Sequence, residues 1–264
     1  MYQKKSEVLQ RLKFLKKQRE RTLKEIISRR GKEDLVFFIE NIINNPEDPQ
    51  YLKLAPFHHQ IVKDLVEFEK NDEEFYMLLS FRGSWKTTLV QAFAIQQILK
   101  NPDIKIFISS EREDTSKSIL RQIKEHFERN PRLRYYYGNY VPEGAETKWS
   151  ESEIVVSKRT RIQKEPTLRV GSVEQSPVSL HCNLLILDDL VSRANSETKE
   201  GNRRVNQYFR DLLSIRDKGS KSLIVGSRWQ ASDLYSQLIS ELSDKKGDKI
   251  NDEIATKEVI EKYL

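Results

Sequence analysis

The chain has 264 residues, of which 37% are hydrophobic and 33% charged, with a formal net charge of +6. That length suffices for one large buried core or two small ones. No apolar run reaches the roughly 18 to 20 residues of a membrane span, and the basic N-terminus lacks the apolar core of a signal peptide. A soluble, unexported protein with no membrane partner is expected. The single cysteine, Cys182, rules out an intramolecular disulfide. His58, His59, His126 and His181 have no cysteine partners at zinc-ligand spacing, so no structural metal site is expected.

From Ser6 to Arg30 the apolar residues Val8, Leu12, Leu15, Leu23 and Ile26 recur at three- and four-residue steps, which predicts an amphipathic helix with a basic face. Residues 1–32 hold twelve Lys or Arg against three Glu, a local balance of +9, so the remainder of the chain is mildly acidic. Gly31 is expected to end the helix, a second helix to run over Glu33–Ile43, and the turn formers NNPEDPQ (44–50) to make a loop. Three parts follow: a basic helical arm over 1–45, a compact body over 46–245, and a tail or linker start over 246–264. There is no internal repeat and no low-complexity segment.

The body alternates. Apolar runs of strand length lie at Phe75–Ser80, Lys105–Ser110, Glu153–Ser157, Thr167–Gly171, Asn183–Asp188 and Ser222–Ser227. Helical spacing covers Thr87–Lys100 (Leu89, Phe93, Ile98) and Asp114–Asn130 (Ile119, Ile123, Phe127). Strand, helix, strand, helix predicts an α/β fold with a mostly parallel central sheet flanked by helices. The runs 153–157 and 167–171 read alternatively as an inserted β-hairpin.

The stretch LLSFRGSWKTTLV (78–90) has the context of a phosphate-binding loop: an apolar strand, the loop Ser80–Trp85, then a helix opening at Lys86. In the G-x-x-x-x-G-K-[ST] pattern the glycines belong where this chain has Ser80 and Trp85. Backbone N–H groups of the loop, including Arg82, Gly83 and Ser84, with Lys86, would bind phosphate, and the hydroxyls of Thr87 and Thr88 are candidates for a magnesium ion. NLLILDDL (183–190) is an apolar strand ending in Asp188 and Asp189. A carboxylate there can hold a metal's water shell, and a second can orient or deprotonate an attacking water. A third strand, SLIVGSRW (222–229), brings Ser227 and Arg228 to the same sheet edge, where they could sense the phosphate state. Ser232 or Asp233 is a candidate cap for the helix that follows.

From Leu54 to Leu238 this pattern resembles the ATPase half of the large terminase subunit of tailed bacteriophages. LAPFHHQIVKDL (54–65) is similar to its adenine-recognition segment, SFRGSWKTTL to its variant P-loop, LLILDDLVSRANS to its acidic second motif and IVGSRWQASDLY to its coupling motif. The resemblance implies a P-loop NTPase of the additional-strand (ASCE) type, hydrolysing ATP with Mg²⁺ to drive packaging of viral DNA. It implies Phe57, His58 and Gln60 at the base, and Ser80, Arg82, Gly83, Ser84, Trp85, Lys86, Thr87 and Thr88 around the phosphates. Thr87 and Asp188 would hold the metal, Asp189, Arg82 and Lys86 would be catalytic, and Ser227 and Arg228 would couple. Trp85 is bulkier, and Asp189 one methylene shorter, than that family's common choices. The implied partners are double-stranded DNA, a portal protein, a small terminase subunit and copies of the chain in a ring, in a host cytoplasm. The family's nuclease domain is not expected, because the residues after Ile239 are too few to form it. A helicase-like DNA-dependent ATPase and an ATP-binding assembly module with little turnover are the alternatives. The basic loop SKRTRIQKEPT (157–167) is a solvated hairpin tip, a DNA contact or an arginine finger for a neighbour.

Overall fold

The computed structural model describes residues 2–44, 53–144, 148–174, 180–230 and 232–246, with side chains placed from residue 10 to 240. The expected loop over 44–50, apart from Asn44, and nearly all of the expected tail lie outside the described residues.

Helix α1 runs Tyr2–Glu33. Gly31 does not end it. A Cβ at Gly31 would overlap the Tyr137 hydroxyl, and the Gly31 carbonyl accepts a 2.8 Å bond from Gln96 Nε2. The glycine therefore serves close packing, and the stop falls to Asp34. Its backbone is extended (φ −118°) and its carboxylate accepts from Phe37 N at 2.9 Å, capping α2, Leu35–Phe38. The helix widens into a π-turn over Ile39–Ile43, closed by Asn44 N donating to Ile39 O. Leu35, Phe38, Ile39, Ile42 and Ile43 are buried in the main core. The last third of the expected arm is thus core, whereas Leu12, Leu15, Leu23 and Ile26 of α1 lie exposed.

Helix α3, Pro56–Lys70, starts with Pro56 at its first position and is closed by His58 Nδ1 accepting from Ala55 N at 3.0 Å. Six strands form one sheet: β1 Phe75–Leu79, β2 Ile106–Ser110, β3 Glu153–Ile154, β4 Leu168–Ser172, β5 Cys182–Asp188 and β6 Arg216–Gly226. Their order is β1-β6-β5-β2-β4-β3, and every pairing is parallel except β3 with β4. The α/β expectation holds. The hairpin reading of 153–171 also holds, although only two residues of β3 pair. β6 lies between β1 and β5 and so separates the strand that leads into the loop 80–85 from the acidic strand.

β6 starts six residues before its apolar run. Its charged first half is satisfied by neighbours: the Arg216 guanidinium lies 4.2 Å from the Phe75 ring centroid, and Lys221 Nζ donates to Phe68 O and Glu73 O beyond the end of α3. Helices α4, Lys86–Lys100, and α5, Glu113–Arg129, cover one face with α3, burying Leu89, Phe93, Ile119, Ile123 and Phe127 against Leu184 and Ile186. The short α6, Pro131–Tyr137, and α7, Arg193–Ser196, link larger elements. Helices α8, Lys199–Ser214, and α9, Leu234–Lys246, cover the other face, where Val205, Tyr208, Phe209 and Leu212 meet Leu185 and Leu187. Alternate residues of β5 thus feed both cores, as a doubly covered parallel strand must.

Candidate active site

Strand register sets the site. Leu79 faces Gly226, Asp188 faces Val225, and Ser109 faces Leu187, so β1, β6, β5 and β2 finish level at one edge. The ladder runs one residue past each end: Ser80 N donates to Gly226 O (2.9 Å), Asp189 N to Val225 O (2.8 Å) and Glu111 N to Asp189 O (3.4 Å). Polar side chains here stand at the mouth of an otherwise apolar sheet, where open α/β sheets bind ligands.

The loop leaving β1 bends through left-handed backbone at Gly83 (φ 84°) and Trp85 (φ 56°). The second of these is the position where the P-loop pattern wants glycine. A non-glycine residue there costs on the order of 1 kcal/mol, and the cost is offset by packing. The Trp85 ring stacks on His58 with centroids 4.7 Å apart and planes 13° apart, and Phe57 lies against His58 at 3.9 Å and Phe81 at 5.6 Å. Burial lowers the His58 pKa, so the ring is neutral. With Nδ1 occupied by Ala55 N–H, the proton sits on Nε2, which faces the Ser84 backbone without closing to hydrogen-bond geometry. The sequence segment expected to recognise adenine is thereby attached directly to the loop 80–85.

Two contacts cross from α4 to the end of β5. Lys86 Nζ lies 3.2 Å from Asp189 Oδ2, with the lysine side chain buried. Thr87 Oγ1 lies 3.0 and 3.1 Å from the two Asp188 carboxylate oxygens. Asp188 is 2% exposed, and burial first, then the Asp189 charge, pushes its carboxyl up to about 7, against the opposing pull of Thr87 and Lys86. Asp189 departs from strand geometry into the left-handed region (φ 49°), which lets its carboxylate turn to the lysine.

The donor set fits a hard divalent cation. One hydroxyl and one carboxylate, both oxygen ligands, already converge, and a cation's charge would offset what holds the Asp188 proton on. Among the described residues no group of three or more His, Cys, Asp or Glu could ligate a metal. Magnesium bound through one or two protein oxygens plus phosphate and water needs no such cage. Ser84 Oγ and Asp189 Oδ1 are buried with no hydrogen-bond partner.

Ser227 Oγ donates to Ser80 O at 3.0 Å, joining the end of β6 to the start of the loop. The Arg82 guanidinium sits 5.0 Å from the Trp229 ring centroid, a cation–π contact to the same turn. Three expected residues point elsewhere. Arg228 Nη2 donates to Ser236 on α9, Gln60 Nε2 to Asp64 at 2.7 Å, and Thr88 is exposed on α4. Asp233, fully buried, accepts from Trp229 N, Gln230 N and Ser236 N and is the cap of α9. The loop 157–167 lies at the opposite, N-terminal edge of the sheet, where Asp103 accepts from Thr160 N, Thr160 Oγ1 and Arg161 N. Its arginines are remote from this chain's own phosphate loop.

Sequence reading missed Tyr235, Glu111 and Ser192. The Tyr235 ring lies on Gly226, where a Cβ would come within 2.5 Å of it, and its hydroxyl accepts from Val191 N at 3.4 Å. One buried ring so ties the end of β6 to the segment after Asp189. Glu111, just past β2, accepts a short hydrogen bond from Ser192 Oγ. The first-position glutamate after an apolar run ISS was a signal available in the sequence, but nothing there says which strand it stands beside.

No protein-family model and no curated protein matches the sequence. Among solved structures, the HK97 bacteriophage large terminase superposes with a TM-score of 0.57 at 14% identity, over 82% of this chain and 42% of that one. The Phi-28 gp11 DNA packaging motor aligns over 62% of this chain and 48% of that one, at 12% identity and a TM-score of 0.38, too loose a likeness to argue from. The chain spans less than half the length of either. Its fold is the α/β fold found in a phage large terminase.

Proposed function

We propose that the level edge of β1, β6 and β5 is a magnesium-dependent ATP hydrolysis site, and that the chain is the motor part of a machine that packages double-stranded viral DNA. The observation that carries this is the crossed pair of contacts, Thr87 to Asp188 and Lys86 to Asp189, between the start of a helix and the end of a central strand. Few structural needs explain burying a lysine and a carboxylate there, with a second carboxylate and a hydroxyl beside them.

In this reading the loop backbone from Ser80 to Lys86 and the N-terminus of α4 cradle the phosphates. Lys86 exchanges Asp189 for the β- and γ-phosphates. Thr87 and Asp188 would hold magnesium, which when bound supplies charge neutralisation on the phosphate oxygens. Asp189, released from the lysine, orients the attacking water. Arg82 stabilises charge on the γ-phosphate, and Phe57 and His58 flank the base. Ser227, bonded to Ser80 O, would pass the phosphate state into β6 and α9. Catalysis is then mainly positioning and charge stabilisation. The basic arm is the natural contact for DNA phosphate or a neighbouring copy. The portal protein, the small terminase subunit and the ring belong to the same proposal, which rests on the sequence motifs together with the shared fold.

The test is ATP turnover with magnesium, alone and with double- or single-stranded DNA. Turnover stimulated by double-stranded DNA, without strand separation, is expected. Strand separation would favour a helicase, and tight ATP binding with no turnover under any condition would favour an assembly module.

A further inference from the structure

We infer that Glu111 is a second catalytic carboxylate of this site, the group that takes the proton of the attacking water. The inference rests on the ATPase reading and adds a residue that the acidic pair at the end of β5 does not include.

Three observations place it. Glu111 directly follows β2, the neighbour of β5, and its N–H donates to Asp189 O, so it stands one strand spacing from the Asp188–Asp189 pair at the same edge. Its carboxylate makes no ion pair among the described residues and is held by a neutral hydroxyl, Ser192 Oγ. That hydroxyl is itself fixed: Ser192 Oγ accepts from Asn195 N, Ser192 N donates to Asn195 Oδ1, and Asn195 Nδ2 donates to Leu190 O. The carboxylate is thus held in one position by a rigid post.

Asp189 is less suited to the proton transfer. It is one methylene shorter than glutamate, and its backbone is turned into the left-handed region. Glu111 reaches one methylene further, from the adjacent strand. The two divide the work: Asp189 orients the water, and Glu111 receives its proton. The water oxygen bonds to the γ-phosphorus as the bond from that phosphorus to the ADP oxygen breaks, and the electron pair leaves with ADP. The water's proton passes to Glu111, which returns it to solvent when phosphate departs.

A merely structural Glu111 would be an anchor for Ser192, and glutamine would serve that role, since its amide oxygen also accepts from Ser192 Oγ. Glu111→Gln therefore separates the two. In the full chain, Mg²⁺·ATP turnover and the affinity for a fluorescent ATP analogue are measured for wild type, Glu111→Gln and Glu111→Asp, with thermal unfolding as a check on folding. The expected result for Glu111→Gln is a fall in kcat of about 100-fold or more, with analogue affinity and unfolding midpoint close to wild type. Glu111→Asp should recover part of the rate, because it keeps the carboxylate. A Glu111→Gln rate near wild type overturns the inference while leaving the ATPase reading intact. A wild-type chain that neither binds nor hydrolyses Mg²⁺·ATP overturns both.

Discussion

Trp85 stacks on His58, 4.7 Å between centroids and 13° from parallel, and this contact lets a bulky residue occupy a left-handed position that the P-loop pattern gives to glycine. Trp85→Ala keeps the backbone cost and loses the stack, worth about 0.5–1.5 kcal/mol. Trp85→Gly loses the stack but removes the cost, on the order of 1 kcal/mol. Urea unfolding should show the alanine variant as the less stable of the two. Equal stabilities would mean that the left-handed backbone carries no strain here.

Asp188 gives the protein a distinctive pH response. Its carboxyl is raised from 3.8 to about 7 in the folded state, so between those values the folded chain binds a proton that the unfolded chain does not. Stability without divalent metal should therefore fall as pH rises from about 4 to about 7 through this group. Asp188→Asn should flatten that slope and be more stable than wild type at pH 8 without metal. Magnesium competes with the same proton, so its affinity should rise with pH through about 7. Thermal unfolding at several pH values, with and without magnesium, checks both. A slope unchanged in Asp188→Asn would show that other groups cause it.

The arm divides at a specific place. Removing residues 1–26 should leave unfolding nearly unchanged, because Leu12, Leu15, Leu23 and Ile26 are exposed, while weakening salt-sensitive binding to double-stranded DNA. Removing residues 1–43 also removes Leu35, Phe38, Ile39, Ile42 and Ile43 from the core. At about 1.5–3 kcal/mol each, that loss rivals the roughly 5–15 kcal/mol that holds a domain folded, and the product should not fold. Far-UV circular dichroism and DNA titration decide. Loss of structure in the shorter deletion would make the exposed helix part of the fold.

Much of this site can be read from sequence, because each strand ends its apolar run at a polar residue of the proposed site: Leu79 before Ser80, Leu187 before Asp188, Gly226 before Ser227. β6 was half-hidden because Arg216, Lys218 and Lys221 break its apolar pattern, and the partners of Arg216 and Lys221, at Phe75 and around the end of α3, are contacts only a folded chain makes. Helix α8 carries the apolar spacing Val205, Tyr208, Phe209 and Leu212, a helix absent from the sequence expectations. The links from His58 to Trp85, Tyr235 to Gly226 and Glu111 to Ser192 join residues distant in sequence through polar or aromatic groups. Hydrophobic periodicity is silent on such pairs.

Tyr235 and Gly226 test coupling apart from binding. Gly226→Ala drives a Cβ into a fully buried ring, and overpacking of this kind costs about 1–3 kcal/mol. It also displaces the end of β6 that Ser227 joins to the phosphate loop. Tyr235→Phe keeps the ring and loses only the hydroxyl at Val191 N, about 1 kcal/mol. DNA-stimulated turnover should fall much more in Gly226→Ala than in Tyr235→Phe, with nucleotide affinity little changed in the latter. The reverse ranking would remove Tyr235 from the coupling route.

Lys86, held 3.2 Å from Asp189, is the proposed lysine that meets the β- and γ-phosphates of ATP, with Asp189 beside the attacking water. Single-turnover hydrolysis of Mg²⁺·ATP by wild type, Lys86→Ala and Asp189→Asn tests it most directly. Phosphate release is expected from wild type, none above background from Lys86→Ala, and bound but unhydrolysed ATP on Asp189→Asn. Phosphate release by Lys86→Ala at a rate near wild type would place the chemistry elsewhere in the molecule and contradict the account.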